Sequence, residues 1–106
     1  MTSKRVAFKV HGTVQGVGFR DFTQKTARSN ELKGWVRNTI CGKVEGEVQG
    51  DEETVKKLLT QINKGPRFAH VVKLEKREIE PIQSEGDFLV MRTSESAFHS
   101  EDVSDV

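Results

Sequence analysis

Cysteine, clustered histidine and long apolar runs are scarce in this chain of 106 residues, and each scarcity excludes a class of protein. The single cysteine, Cys41, excludes an intramolecular disulfide and a cysteine-rich metal site, and it fits a reducing compartment. The three histidines, His11, His70 and His99, lack the spacing of metal ligands, and we expect each to face solvent. No apolar run approaches the roughly 20 residues that span a bilayer, and residues 1–5 do not resemble a signal peptide. We therefore expect a cytoplasmic protein with no metal and no membrane contact.

Positive and negative side chains are nearly equal in number, but the net charge of +1 conceals an uneven distribution along the chain. Residues 93–106 carry four carboxylates and no lysine or arginine, so the body holds 17 basic and 12 acidic residues, a net charge of +5. Such a mildly basic body suits a small anionic ligand and is too weak a feature to indicate nucleic-acid binding. We expect residues 1–92 to form one domain and residues 93–106 to be an acidic, disordered tail.

Hydrophobic periodicity predicts five strands and two helices. The predicted strands cover residues 6–11, 35–40, 43–49, 71–79 and 88–92, and the predicted helices cover residues 20–31 and the segment between Asp51 and Gly65. Asp51 is a candidate N-cap of the second helix, and Gly65-Pro66 ends it. Gly34 is expected to end the first helix, and Gly50 to end the third strand.

The spacing of apolar residues also predicts which side chains are buried. In the second helix these are Val55, Leu58, Leu59 and Ile62. In the first helix, Phe22, Thr26 and Ala27 are expected on the inner face. In the third strand Val44 and Val48 should point inward, and Glu45, Glu47 and Gln49 outward.

The element order is strand, helix, strand, strand, helix, strand, strand, which is the split βαβ pattern. Right-handed crossovers put both helices on one face of the sheet. The predicted class is therefore α+β, a ferredoxin-like sandwich with two helices on one face of a mostly antiparallel five-stranded sheet. Many functions share this fold, so it decides nothing about chemistry.

The most informative segment is H-G-T-V-Q-G-V-G-F-R, residues 11–20, which joins the first strand to the first helix. Its glycines accept positive φ, which lets several backbone N–H groups point together. The first N–H groups of a helix lack intrahelical partners, and the helix dipole favours an anion there. Arg20 adds a planar guanidinium that matches phosphate oxygens. The segment therefore predicts an anion site.

Three stretches together resemble the acylphosphatase family: G-T-V-Q-G-V-G-F-R (12–20), G-W-V-R-N-T (34–39) and G-K-V-E-G-E-V-Q-G (42–50). The resemblance covers residues 6–92 and implies hydrolysis of the carboxyl–phosphate bond of a small acyl phosphate, with no metal or organic cofactor and no nucleic-acid or membrane partner. A monomer is the default expectation.

The resemblance also implies roles for individual residues. Arg20 resembles the family's phosphate-binding arginine, and Asn38 resembles the asparagine that positions the attacking water. The loop whose backbone amides hold the phosphate corresponds to Gln15, Gly16, Val17, Gly18 and Phe19. Thr39 matches a threonine that supports Asn38. Asp21, next to Arg20, would repel phosphate, and we expect it to face away.

Plainer interpretations remain open from the residues alone. The glycine loop could be a tight connection with no ligand, Asn38 could satisfy backbone groups at a strand end, and Arg20 could pair with a surface carboxylate. At the level of function, the alternatives are a module that binds a phosphorylated ligand without turnover and an RNA-binding domain. The RNA alternative is weak, because the central strands lack the aromatic pair on which such domains stack bases.

Overall fold

The computed structural model describes residues 3–83 and 85–98. In chain order the elements are β1 (Ser3–Thr13), α1 (Phe19–Ser29), β2 (Lys33–Asn38), β3 (Val44–Asp51), α2 (Glu52–Lys64), β4 (His70–Ile79) and β5 (Phe88–Val90). The strands form one sheet in the order β4-β1-β3-β2-β5. All neighbours are antiparallel except β2 and β5, which are parallel. The predicted ferredoxin-like class, with its mostly antiparallel sheet, is confirmed.

The two helices cover the apolar face of the sheet. Buried side chains from the three central strands meet the α2 stripe there: Val6, Phe8, Val10, Val36, Val44, Val48, Val55, Leu58, Leu59 and Ile62. The predicted stripe of α2 is thus confirmed, as is its N-cap, since Asp51 Oδ2 accepts a hydrogen bond from Thr54 N at 3.4 Å. Within the described residues, no helix is long and apolar enough to cross a lipid bilayer.

The inner face of α1 differs from the prediction. The buried residues are Phe19, Thr23 and Ala27, whereas Phe22 and Thr26 are only partly buried. The helix begins with Phe19 in the core, so the buried stripe repeats every four residues from that position. Thr23 tolerates burial because its hydroxyl donates to the Phe19 carbonyl at 2.9 Å.

Two glycines predicted to end elements lie inside strands instead. Gly34 has φ +137° and pairs with Val48, and a Cβ on it would lie 2.0 Å from the Glu47 carbonyl oxygen. Gly50 pairs with Lys4, and a Cβ there would lie 2.4 Å from the Leu32 side chain. Both positions need glycine because other segments of the same chain pack against them too closely for a Cβ. The local sequence does not reveal such long-range contacts.

The outer face of the sheet is covered in part by residues 91–98, here called the C-terminal strap. Phe98 is buried, and Glu45, predicted to point to solvent, is 1% exposed beneath the strap. The expectation of a tail disordered from residue 93 therefore fails for residues 93–98, because Glu45 supplies acceptors for their backbone and hydroxyl donors. The same expectation for residues 99–106 lies outside the described residues.

The histidines also differ from expectation at one position. His70 is exposed, but His11 is only partly exposed, and its Nε2 lies 2.6 Å from Glu75 Oε1. β1 pairs with β4 on both sides of a register shift between His11 and Gly12, so His11 lies next to β4. The prediction for His99 lies outside the described residues.

Candidate active site

The loop between β1 and α1 adopts the backbone conformation that its glycines permit. Gly16 has φ +73° and Gly18 has φ +78°, both in the left-handed region. A Cβ on either glycine would meet nothing within 4 Å, so conformation rather than space requires glycine here. Gly18 is the N-cap of α1 and supplies no side-chain cap. The start of α1 is therefore open.

The backbone N–H groups of this loop are unusually free. Phe22 N donates to the Gly18 carbonyl at 3.0 Å, which starts the helical hydrogen bonding. Among residues 3–83 and 85–98, no acceptor is bound by the backbone N–H groups of residues 15–20. A run of donors at a helix start, together with the positive end of the helix dipole, is a ready binding site for an anion.

Arg20 lies in the first turn of α1 and is partly exposed. Its guanidinium forms neither an ion pair nor a hydrogen bond with any residue that the structure describes. The adjacent Asp21 pairs with Lys25 Nζ at 3.1 Å, one turn along the helix. Asp21 nevertheless lines the cleft described below, so the expectation that it faces away from the site is not met. The positive charge of Arg20 thus has no internal partner within the described chain.

Asn38 is the last residue of β2 and pairs with Val44 of β3. On the other side, its carbonyl accepts a hydrogen bond from Ser94 N of the C-terminal strap at 3.2 Å. The backbone of Asn38 is therefore held from both sides. Its side-chain carboxamide binds none of the described residues.

These groups meet at one cleft of about 320 Å³. It is lined by Val14, Gly16, Gly18, Phe19, Arg20, Asp21, Asn38 and Val90. Arg20 and Asn38 therefore line a shared space, although 18 positions separate them in sequence and they lie on different elements, α1 and β2. Val90 completes one wall, and sequence reasoning missed it because β5 reaches the cleft only through its parallel pairing with β2.

Three residues predicted at the site, Gln15, Val17 and Thr39, have side chains that do not line the cleft. Val17 is partly buried and packs against the core. The Gln15 side chain donates from Nε2 to the carbonyl oxygens of Thr39 (2.7 Å) and Lys43 (2.9 Å). These bonds tie the loop between β1 and α1 to the β2–β3 turn that follows Asn38.

Thr39 is 1% exposed and organises that turn. Its hydroxyl accepts from Lys43 N at 2.9 Å and donates to the Lys43 carbonyl at 3.2 Å. The hydroxyl also lies 3.2 Å from the thiol sulfur of exposed Cys41, a contact that lowers the pKa of that thiol. Within the described ranges, no group of three or more His, Cys, Asp or Glu side chains is arranged to hold a metal ion.

The chain is similar in sequence to known proteins. The family model described as Acylphosphatase matches residues 6–90. An acylphosphatase of Chlorobaculum tepidum is 44% identical over 91 residues, which cover 86% of this chain and 99% of that protein. An acylphosphatase of Syntrophotalea carbinolica is 51% identical over 76 residues, which cover 71% and 83% respectively.

Structural comparison gives the same result. The crystal structure of acylphosphatase from Bacillus subtilis matches with a TM-score of 0.80 at 31% identity, over 83% of this chain and 98% of that chain. The family match, residues 6–90, spans the loop between β1 and α1 and the strand that bears Asn38. This chain belongs to the acylphosphatase family.

Proposed function

We propose that this protein hydrolyses the carboxyl–phosphate bond of small acyl phosphates, giving a carboxylate and inorganic phosphate. The observation that carries the proposal is the shared cleft, where Arg20, the open start of α1 and Asn38 meet. Neither of the two side chains has a partner among residues 3–83 and 85–98. Family membership supports the same reaction class.

In this mechanism the phosphoryl group binds at the start of α1. The N–H groups of residues 15–19 donate to its oxygens, and Arg20 adds a bidentate, charge-assisted contact. Charge spreads over the equatorial oxygens of the phosphoryl group in the transition state, so fixed donors at those oxygens lower the barrier. The guanidinium needs no rearrangement away from another partner in the described chain before it can bind.

Asn38 acts on the water. A carboxamide is both a donor and an acceptor but is no useful base, so its role is to hold a water molecule in line with the scissile bond. The water oxygen forms the new P–O bond, and the electron pair of the broken P–O bond leaves with the acyl carboxylate. The proton of the water passes to phosphate or solvent.

The leaving group explains why so few ionisable residues suffice. Carboxylic acids have a pKa of about 4, so the departing carboxylate is stable at neutral pH without a strong general acid. The charged side chains that line the cleft are Arg20 and Asp21, and Asp21 is paired with Lys25. An alkoxide leaving group would need more help, so phosphomonoesters should be poor substrates.

The test is phosphate release from benzoyl phosphate by the purified protein in excess chelator, compared with a stable phosphomonoester. We expect turnover of the acyl phosphate alone, and Asn38→Ala should reduce kcat by about 10²–10³, the cost of losing one positioned donor. Asn38→Asp is the matched variant, because it keeps the shape but brings negative charge towards phosphate.

Each outcome has a clear meaning. Binding of phosphate without turnover by the wild type would identify an anion-binding module instead of an enzyme. Near-normal turnover by Asn38→Ala would refute the water-positioning role. Loss of activity in chelator, restored by a divalent cation, would contradict the metal-free mechanism.

A further inference from the structure

The C-terminal strap lies beyond the family match, which ends at residue 90. It runs alongside β2 and continues the parallel pairing of β5. Met91 N donates to the Val36 carbonyl at 2.8 Å, and Ser94 then forms an isolated parallel bridge with Thr39. The strap is therefore the outer neighbour of the strand end that carries Asn38.

Ser94 makes two backbone hydrogen bonds that bracket this strand end. Its N–H donates to the Asn38 carbonyl at 3.2 Å, and its carbonyl accepts from Ile40 N at 2.9 Å. On the opposite side, Thr39 N donates to the Lys43 carbonyl at 2.8 Å. Without Ser94, the last residues of β2 would be an edge with unpaired groups on one side, and such ends open readily.

The strap is anchored by a buried carboxylate on the neighbouring strand. Glu45 accepts from Ser96 Oγ (2.7 Å), Ala97 N (3.0 Å) and Phe98 N (3.3 Å). It also accepts from Arg37 Nε (3.0 Å) and Nη2 (2.8 Å). A carboxylate that is 1% exposed and accepts five hydrogen bonds is a directional anchor.

Two further contacts close the anchor. Lys9 Nζ donates to Ser96 Oγ at 2.8 Å, and the guanidinium carbon of Arg77 lies 5.0 Å from the centre of the Phe98 ring. Phe98 itself is 8% exposed. The strap is thus fixed at its end by Glu45 and Phe98, and in its middle by Ser94.

We infer that the strap is a positioning device for catalysis: Ser94, locked in place through Glu45, holds the end of β2 so that the Asn38 carboxamide stays directed into the cleft. The inference rests on the proposed role of Asn38. Ser94 and Glu45 are positioning residues, because neither lines the cleft. No hydrogen bond directly joins the described residues of the β1–α1 loop to the strap; the Gln15 side chain bonds to Thr39 O, but the loop's backbone N–H groups are not held by the strap. Phosphate binding should therefore depend on the strap much less than turnover does.

The decisive comparison is Ser94→Pro against Ser94→Ala in the full-length protein. Proline lacks the N–H that binds the Asn38 carbonyl, whereas alanine keeps both backbone bonds. We expect Ser94→Pro to lower kcat for benzoyl phosphate roughly tenfold, since small misplacements at a reacting centre can cost up to about 100-fold. The inhibition constant of inorganic phosphate should stay at the wild-type value, and Ser94→Ala should match the wild type throughout.

A double-mutant cycle separates positioning from general structural damage. In an Asn38→Ala background, Ser94→Pro should cause no further loss of kcat, because the group that it positions is gone. Equal losses in both backgrounds, or a kcat for Ser94→Pro equal to that of Ser94→Ala, would overturn the inference. If Ser94→Pro does not fold, Ser96→Ala takes its place: reduced kcat at an unchanged phosphate constant supports the inference, and unchanged kcat overturns it.

A readout independent of turnover distinguishes this inference from the proposed function. The NMR signals of the Asn38 side-chain NH₂ group should shift or broaden in Ser94→Pro and stay unchanged in Ser94→Ala. Unperturbed signals in Ser94→Pro would overturn the positioning device whatever the activity. Full activity of Asn38→Ala, in contrast, would remove the proposed catalytic role while the NMR comparison still reports on the strap.

Discussion

Arg5 and Arg20 carry the same guanidinium in opposite settings. Arg5 is 1% exposed and donates five hydrogen bonds to the side chains of Glu47, Gln49 and Glu85. Arg20 has no partner among the described residues and lines an open cleft. The difference shows how the molecule separates charges that hold the fold from a charge that is held ready for a ligand.

The two helix starts show the same division. The N-terminus of α2 is capped by the Asp51 side chain, while α1 follows Gly18, an N-cap without a side chain, and its first N–H donors bind no acceptor in the part of the chain that the structure describes. The hydrogen bonds of Arg5 and the Asp51 cap stabilise the fold. The open donors at the start of α1 add no such stability, and they are available for a ligand. Four substitutions or conditions test this division, in order of expected effect.

Arg20→Lys should cause the largest change, and in activity alone. Lysine keeps the charge but loses the planar fork, so kcat/KM for an acyl phosphate should fall at least about 100-fold. The free energy of unfolding should change by less than about 0.5 kcal/mol, because no internal contact within the described chain is lost. Steady-state kinetics and urea denaturation of the same preparation measure both quantities, and a drop in stability beyond about 1 kcal/mol would place Arg20 among the structural charges.

Arg5→Leu should show the reverse. Breaking a buried ion pair costs about 3–5 kcal/mol, but Glu47 and Glu85 remain about one-quarter exposed, so we expect about 2–3 kcal/mol. Urea denaturation at pH 7 measures the loss, and kcat should be unchanged wherever the protein is folded. Lys4→Ala is the neighbouring control: Lys4 pairs with Glu52 at the surface, and its loss should change stability far less than Arg5→Leu, because exposed ion pairs contribute little.

Acid should weaken the anchor of the C-terminal strap. Burial alone would raise the pKa of Glu45, but the hydrogen bonds from Ala97, Ser96 and Arg37 outweigh it and hold the pKa below the ordinary 4.5. The ionised carboxylate therefore contributes stability at every pH above its unfolded pKa, and this contribution disappears as the pH falls through the lower folded value.

The measurement is the unfolding free energy of the wild type and of Glu45→Gln between pH 7 and pH 3. The difference between the two proteins should be constant above about pH 5 and should shrink below that value. A difference that stays constant down to pH 3 would show that the anchor does not depend on the charge of Glu45.

Asp51→Ala should give the smallest effect. Its hydrogen bond to Thr54 N is long, at 3.4 Å, so we expect a loss of about 0.5 kcal/mol, the lower end for an N-cap. Activity should not change, since α2 does not reach the cleft. Thermal unfolding of the variant beside the wild type resolves a shift of this size.

Local sequence patterns predicted most of the side chains that are buried between the sheet and the helices. The alternation in β1 and the stripe of α2 follow from short-range periodicity, and the same residues are buried in the structure. The face of α1 was wrong, because its register depends on Phe19 entering the core at the very start of the helix. Gly34 and Gly50 were predicted to end elements, which is wrong, because close contact with other segments of the chain, and not a turn, requires glycine there.

The outer face of the sheet and the cleft depend on residues that are distant in sequence. Glu45 follows the alternation of β3 and points outward, yet it is buried because its partners in the strap lie 51 to 53 residues further along the chain. Val90 enters the cleft for a similar reason. Arg20 and Asn38 were selected through a family resemblance and local helix-start chemistry, and their common cleft needed the sheet order to become visible. Their catalytic roles stay predictions.

The parallel neighbour of β2 has a consequence for how the protein matures. A ribosome releases the chain in order, so β1, α1, β2 and β3 emerge well before the segment that completes the sheet edge next to Asn38. Most residues of the core cluster lie between Val6 and Leu59, whereas the closing contacts at Ser94 can form only after residue 94 has been made. The sheet edge beside Asn38 is therefore among the last parts of the described sheet that can be completed during synthesis.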